Sequence, residues 1–166
     1  KYLEPRGSTR FIDTVLDALD DISNEVKDYI ATLPKKTRDL NPRIVKLINC
    51  TTDGYDNMSN HNANDLQKAM TDFRNNGGEA LLLAANMDAQ EIGEQYGFNS
   101  DTSLTVHASD PDAIQYAFQC LRTTSAQVSS GGTAIPYTQL QRATSSQPTV
   151  EIDPFQSLAP PSLPLR

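Results

Sequence analysis

Gly77-Gly78-Glu79-Ala80-Leu81-Leu82-Leu83-Ala84-Ala85-Asn86-Met87-Asp88 is the stretch on which the fold turns. Helix propensity alone would admit a helix through the Ala/Leu run. A short apolar run bounded by Gly78 and Asn86, however, suits a strand buried on both faces. Downstream, Asp88 to Tyr96 reads as a short helix closed by Gly97. Leu104-Thr105-Val106-His107 alternates like a further strand, and Asp110-Pro111 opens a last helix with a cap and a proline at its first position. The buried side of that helix is expected at Ile114, Ala117, Phe118 and Leu121. Upstream, Asn62 or Asn64 caps a helix with Leu66, Ala69, Met70 and Phe73 on one face, stopped by Gly77-Gly78. Before it, Ile44, Val45, Leu47 and Ile48 form a strand that breaks at Asp53-Gly54. Phe11 to Leu33 repeats apolar residues at steps of three and four (Ile12, Val15, Leu16, Leu19, Ile22, Val26, Ile30), an amphipathic helix with Ser8 or Thr9 as N-cap and Pro34 as its stop. Strands alternating with helices predict an α/β fold: a Rossmann-like, doubly wound, mostly parallel sheet with helices on both faces. The series opens on a helix with no strand before it, and the expectation is that N-terminal strands of the sheet are absent from this chain.

Composition divides the 166 residues in two. Residues 123–166 hold six of the ten prolines and many Ser, Thr and Gln, and their few charges cancel. They read as an extended tail or docking arm, with Val150, Ile152, Phe155 and Leu158 the part most able to dock. Residues 1–122 carry the whole net charge of -7 and form the α/β domain. A field of that sign repels phosphate, which argues against nucleic acid or an anionic membrane as partner. No apolar run approaches the roughly eighteen residues of a membrane span. Cys50 and Cys120 are too few for a disulfide framework and read as small core residues. The compartment stays open, with a cytoplasmic or virion-associated setting favoured.

In a parallel sheet the chemistry sits beyond the carboxyl ends of the strands. There the sequence places Thr51-Thr52-Asp53-Gly54-Tyr55-Asp56-Asn57-Met58-Ser59 and Asn86-Met87-Asp88. Hard divalent cations take oxygen ligands, and Mg²⁺ needs only one or two carboxylates when water and hydroxyls complete its octahedron. Asp53, with Thr9 from the loop before the first helix, is the candidate pair; turn formation is the plainer use of Asp-Gly. A carboxylate cluster of Asp53, Asp56 and Asp88 for Mg²⁺-assisted phosphoryl chemistry is disfavoured, because no lysine or arginine stands in those loops to neutralise a phosphate. His107 reads as a structural histidine at a strand end and His61 as solvent-exposed in an Asn-rich loop.

Pro5-Arg6-Gly7-Ser8-Thr9-Arg10-Phe11-Ile12-Asp13 and Ile48-Asn49-Cys50-Thr51-Thr52-Asp53-Gly54-Tyr55-Asp56-Asn57 resemble two of the three metal-site loops of von Willebrand factor A-like domains. Ala84-Ala85-Asn86-Met87-Asp88-Ala89, Tyr96-Gly97 and the helix after Ala108-Ser109-Asp110-Pro111 resemble a microbial and phage-associated branch of that family. The resemblance spans roughly residues 2–122. It implies that Thr9 coordinates Mg²⁺ directly and that Asp53 does so directly or through water, while Asp56 and Ser59 match no ligand position. The Asp-x-Ser-x-Ser strand that supplies the remaining ligands in the family does not occur here. The function so implied is a non-catalytic protein-binding module whose Mg²⁺ accepts an acidic side chain from a protein partner. The alternative is a structural component of a large assembly (virion, tail or secretion apparatus), with a vestigial metal site and a docking C-terminal arm.

Overall fold

The computed structural model describes residues 9–147. Among them, six helices and three strands alternate: α1 Phe11–Thr32, α2 Lys35–Asp39, β1 Lys46–Thr52, α3 Ala63–Asn75, β2 Gly78–Ala85, α4 Ala89–Tyr96, β3 Ser103–Val106, α5 Pro111–Ser129 and α6 Gln139–Ser146. The strands form one sheet in the order β1-β2-β3, both pairings parallel, with Cys50 opposite Leu82 and Ala84 opposite Thr105. This is the expected α/β layering. The strand order does not reverse among the described residues, so the crevice that such a reversal opens in doubly wound folds is not found among these three strands.

β2 is the spine. Leu81, Leu82, Leu83 and Ala84 are all inaccessible to solvent or nearly so, because their side chains alternate into two separate cores. On one face Ile48, Cys50, Ala80 and Leu82 meet α1, α3 and α4 through Phe11, Val15, Leu66, Met70 and Ile92. On the other, Leu81, Leu83, Leu104 and Val106 meet Ala117, Cys120 and Leu121 of α5 and Tyr137. The parallel pairing thus explains the unbroken Ala/Leu run: with helices on both sides, neither face of β2 has a use for a polar residue.

The helix ends follow local chemistry. Asn62 caps α3 in a reciprocal box with Asp65, Asp88 caps α4, and Asp110 caps α5 ahead of Pro111. Gly97 ends α4 at φ +82, where a Cβ would stand 2.8 Å from the Gln67 Cα, so both the turn and the packing require glycine.

Three expectations need correction. First, β1 begins at Lys46, two residues later than Ile44, where its pairing with Gly78 starts; its end at Thr52, before Asp53-Gly54, is as expected. Second, Phe118 is half exposed, and α5 instead buries Ala113, Ala117, Cys120, Leu121, Thr124 and Val128. The helix is rotated to lay small residues on the sheet. Third, the division at residues 122 and 123 falls inside α5, which continues to Ser129, and the segment beyond is not simply extended, since α6 folds back onto β3. Thr138 and Gln141 cap α6 reciprocally, a local signal that the low apolar content of this region obscures. The docking cluster Val150, Ile152, Phe155 and Leu158 lies outside the described residues.

Candidate functional site

The amino end of α1 meets the loop after β1 at the carboxyl edge of the sheet. Thr9 and Asn57 clasp each other: the Thr9 N–H donates to Asn57 Oδ1 at 2.8 Å, and the Asn57 N–H donates to the Thr9 carbonyl at 3.1 Å. The clasp sets Thr9 Oγ1 3.6 Å from the point where a Cβ on Gly54 would stand. Thr52 Oγ1 donates to the Gly54 carbonyl at 2.8 Å and shapes the turn that carries Asp53, whose side chain is exposed. The two sequence-predicted metal ligands, Thr9 and Asp53, therefore come from elements that meet.

The capping of α1 departs from expectation. Arg10 occupies the N-cap position and provides no side-chain cap. Its place is taken by residues far along the chain: Asp56 Oδ2 accepts from the Ile12 N–H at 2.8 Å, and Ser59 Oγ accepts from the Asp13 N–H at 2.9 Å. Ser59 in turn donates its own N–H and hydroxyl to Asp56. Helix amides left without intrahelical partners are thereby satisfied by a loop more than forty residues away. Burial works to raise the Asp56 carboxyl, but the hydrogen bonds from Ser59 and Ile12 outweigh it and hold it below its ordinary value.

Asp13 makes the return connection. It is almost fully buried, and its carboxylate accepts from the N–H groups of Asn60 and His61 at 3.0 and 3.1 Å, from Arg10 at 2.5 Å, and pairs with His61 Nδ1 at 2.8 Å. The Asn60 N–H foremost, then Arg10 and His61, hold the Asp13 carboxyl far below the usual carboxylate range. The His61 imidazole, held by Asp13 in turn, is shifted upward. In the sequence Asp13 has no role beyond the end of the Pro5–Asp13 motif, and His61 reads as exposed, which the 59% exposure of its side chain bears out; the pairing of the two is new. Asp-x-x-Ser at residues 56–59 was the one local signal, a pattern in which a side chain accepts from the backbone N–H three residues on.

Mg²⁺ would find oxygen donors of the right type in Thr9 and Asp53, but two of them make only part of an octahedral shell. Asp56 and Asp13 are committed to α1 and its loop, and Asp88 accepts from the Gln90 and Glu91 N–H groups at the start of α4. Among the described residues no three His, Cys, Asp or Glu side chains gather as a metal-holding group. Among the described residues Asp53, Asp56 and Asp88 thus form no shared carboxylate group, and Asp56 and Asp88 are each engaged by nearby backbone N–H groups.

Beyond β2 and β3 lies an open crevice of about 460 Å³ lined by Asn86, Asp88, Gln90, Thr105, His107 and Arg142. Asn86 adopts φ +56, a left-handed geometry asparagine tolerates, and its Oδ1 accepts from the Ala108 N–H at 3.0 Å. The two thiols stay outside this chemistry. Cys50 and Cys120 are free and buried, and desolvation pushes the Cys50 thiol up to about 12.

Compared with protein-family models, with curated proteins and with solved structures, the chain matches none of them.

Proposed function

We propose that the α/β unit is the carboxyl-terminal part of a von Willebrand factor A-like, Rossmann-like domain and serves as a non-catalytic module that binds a protein partner. The observation that carries the reading is the Thr9–Asn57 clasp, which brings Thr9 Oγ1 beside Gly54, the residue that follows the exposed Asp53. In the sequence alone these are two motifs about forty residues apart; in the fold they share one end of β1. A Mg²⁺ held there by Thr9 and Asp53, with water and a partner carboxylate filling other positions, would make adhesion metal-dependent. The chain's own contribution is positioning: Asn57 fixes Thr9, and Thr52 fixes the turn of Asp53.

Titration of the protein with Mg²⁺, followed by amide NMR, tests this. The expected result is a saturable perturbation at Thr9, Asp53 and Gly54 in the millimolar range, lost in Asp53→Ala and Thr9→Ala. Undisturbed amides at these three positions would remove the metal from the mechanism. A second reading, a fixed component of a large assembly with a vestigial metal site, is supported by the outer edge of β1, unpaired among the described residues. It predicts that chelation leaves assembly intact.

A further inference from the structure

The carboxyl ends of β2 and β3 open into the crevice that Asn86, Asp88, Gln90, His107, Arg142 and Ser146 line. Backbone hydrogen bonds fasten its walls. The Asn86 N–H donates to the Val106 carbonyl at 2.9 Å, and Asn86 Oδ1 accepts from the Ala108 N–H. The His107 N–H donates to the Ser145 carbonyl at 2.8 Å, which ties the end of α6 to the end of β3. Three segments distant in sequence are thus fixed around one opening. It lies on the side of a parallel sheet where such folds receive their ligands.

The lining carries unspent donors. Arg142 is half-buried, and its hydrogen bonds all go to carbonyl oxygens, those of Tyr137, Ser103, Ser100 and Asp101. One N–H on Nη1 is left over, and among the described residues no carboxylate pairs with the guanidinium. A cation partly withdrawn from water without a counter-ion is costly, and carbonyl dipoles offset only part of its charge. His107 adds a second open group, since its Nδ1 is buried and has no hydrogen-bond partner. No hydrogen bond holds the ring among the described residues, so it is free to turn a nitrogen toward an occupant. The Gln90 amide and the Ser146 hydroxyl are likewise unengaged among the described residues. Asp88, the one acid in the lining, already accepts the Gln90 and Glu91 N–H groups at the start of α4.

We infer that this crevice binds a small hydroxylated monocarboxylate. Its carboxylate would supply the counter-charge that Arg142 lacks and the acceptor that His107 lacks. Gln90, Ser146 and the Nδ2 of Asn86 would meet hydroxyl groups on the rest of the ligand. A phosphate dianion fits less well, because Asp88 faces it from the same lining and like charges repel. The crevice shares no residue with the Thr9 and Asp53 pair, so it is independent of the metal-dependent reading.

The test titrates the full chain with gluconate, an open-chain polyhydroxy monocarboxylate, at constant ionic strength, and follows amide and side-chain NMR shifts. Three probes serve as comparison: sorbitol keeps the hydroxyls without the charge, hexanoate keeps the carboxylate without the hydroxyls, and inorganic phosphate carries the higher charge. Gluconate should give saturable shifts in the millimolar range at Asn86, Gln90, His107 and Ser146 and at the Arg142 Nε–H, and none at Thr9 or Asp53. Each of the other three should bind more weakly by roughly fivefold or more. Because Arg142 also holds four carbonyls, the charge is tested at exposed positions instead. Gln90→Glu should weaken gluconate about fivefold, and Asp88→Asn, which keeps a capping side chain, should tighten it about threefold. Both should leave the unfolding midpoint unchanged. Gluconate without saturable shifts at these residues would overturn the inference, as would sorbitol, hexanoate or phosphate binding as tightly as gluconate. So would gluconate affinities in both variants equal to that of the native chain.

Discussion

At one margin of the sheet β3, only four residues long, is closed by the chain itself; at the other β1, seven residues long, is left open among the described residues. The difference lies in where the chain goes after each strand. After β3 it makes α5 and then returns as α6, whose Arg142 donates to the carbonyls of Ser103, Ser100, Asp101 and Tyr137. The Tyr137 N–H reaches the Asp101 carbonyl, and the His107 N–H reaches that of Ser145. One guanidinium with five donors in a fixed fork thus occupies carbonyls at the β3 margin that a further strand or water would otherwise take. Among the described residues nothing comparable borders β1, whose neighbours α1 and α5 leave apolar side chains exposed on either side of it. A closed edge ends a sheet, whereas an open one flanked by uncovered apolar groups invites its continuation.

The largest effect should come from removing the closure. Arg142→Ala would strand several carbonyls at once and should cost about 3 kcal/mol in urea unfolding, with α6 and the β3 edge exchanging their amides early. Gly93→Ala comes next, because its Cβ would stand 2.5 Å from Ser103 Oγ, on a residue with no solvent-accessible surface. Forcing α4 away from β3 should cost about 2 kcal/mol, and the damage should stay on the β3 side in an exchange map.

The β1 side should answer instead to pH. The depressed Asp13 carboxyl contributes stability that is present above the ordinary value of about 4 and is lost as pH falls through its lower folded value. The raised His61 contributes stability that is present below about 6.5 and is lost as pH rises through its higher folded value. The fastening of α1 to the β1 loop is therefore strongest between those two limits. Asp13→Asn should flatten both arms of the stability profile and return the His61 titration, followed by NMR, toward its ordinary value. Since His61 and Arg10 are well exposed, solvent screens both pairs, and this effect should be smaller than the two above. Smallest of all, Asn49→Lys and Thr51→Lys place charge on exposed positions of the open strand and should change unfolding by no more than about 0.5 kcal/mol. A large loss in either would mean that the edge of β1 is already covered.

Much of this fold was legible from residue patterns, and for local reasons. The apolar run of β2, the Asp110 cap, Pro111, and Gly97 at its left-handed turn each state their role within a few residues of sequence; Asp88, read as the first residue of its helix, proved to be its cap. The sequence pairs Thr9 with Asp53 by their place at the strand ends and again through the family resemblance, but nothing local says that the two loops meet. The fastening that holds them in register was not legible: Asp56 capping α1 and Asp13 holding His61 both join partners more than forty residues apart.

By itself, then, the sequence determined the seven elements from α1 through α5 other than α2, their alternation and the burial of β2, because periodicity, capping and turn chemistry act over one or two turns of chain. Only the tertiary structure decided which edge of the sheet is closed and which acids hold a helix. It also decided that Phe118 faces outward while Thr124 is buried. Those outcomes depend on the rotation and overhang of packed helices, which no short window of sequence encodes.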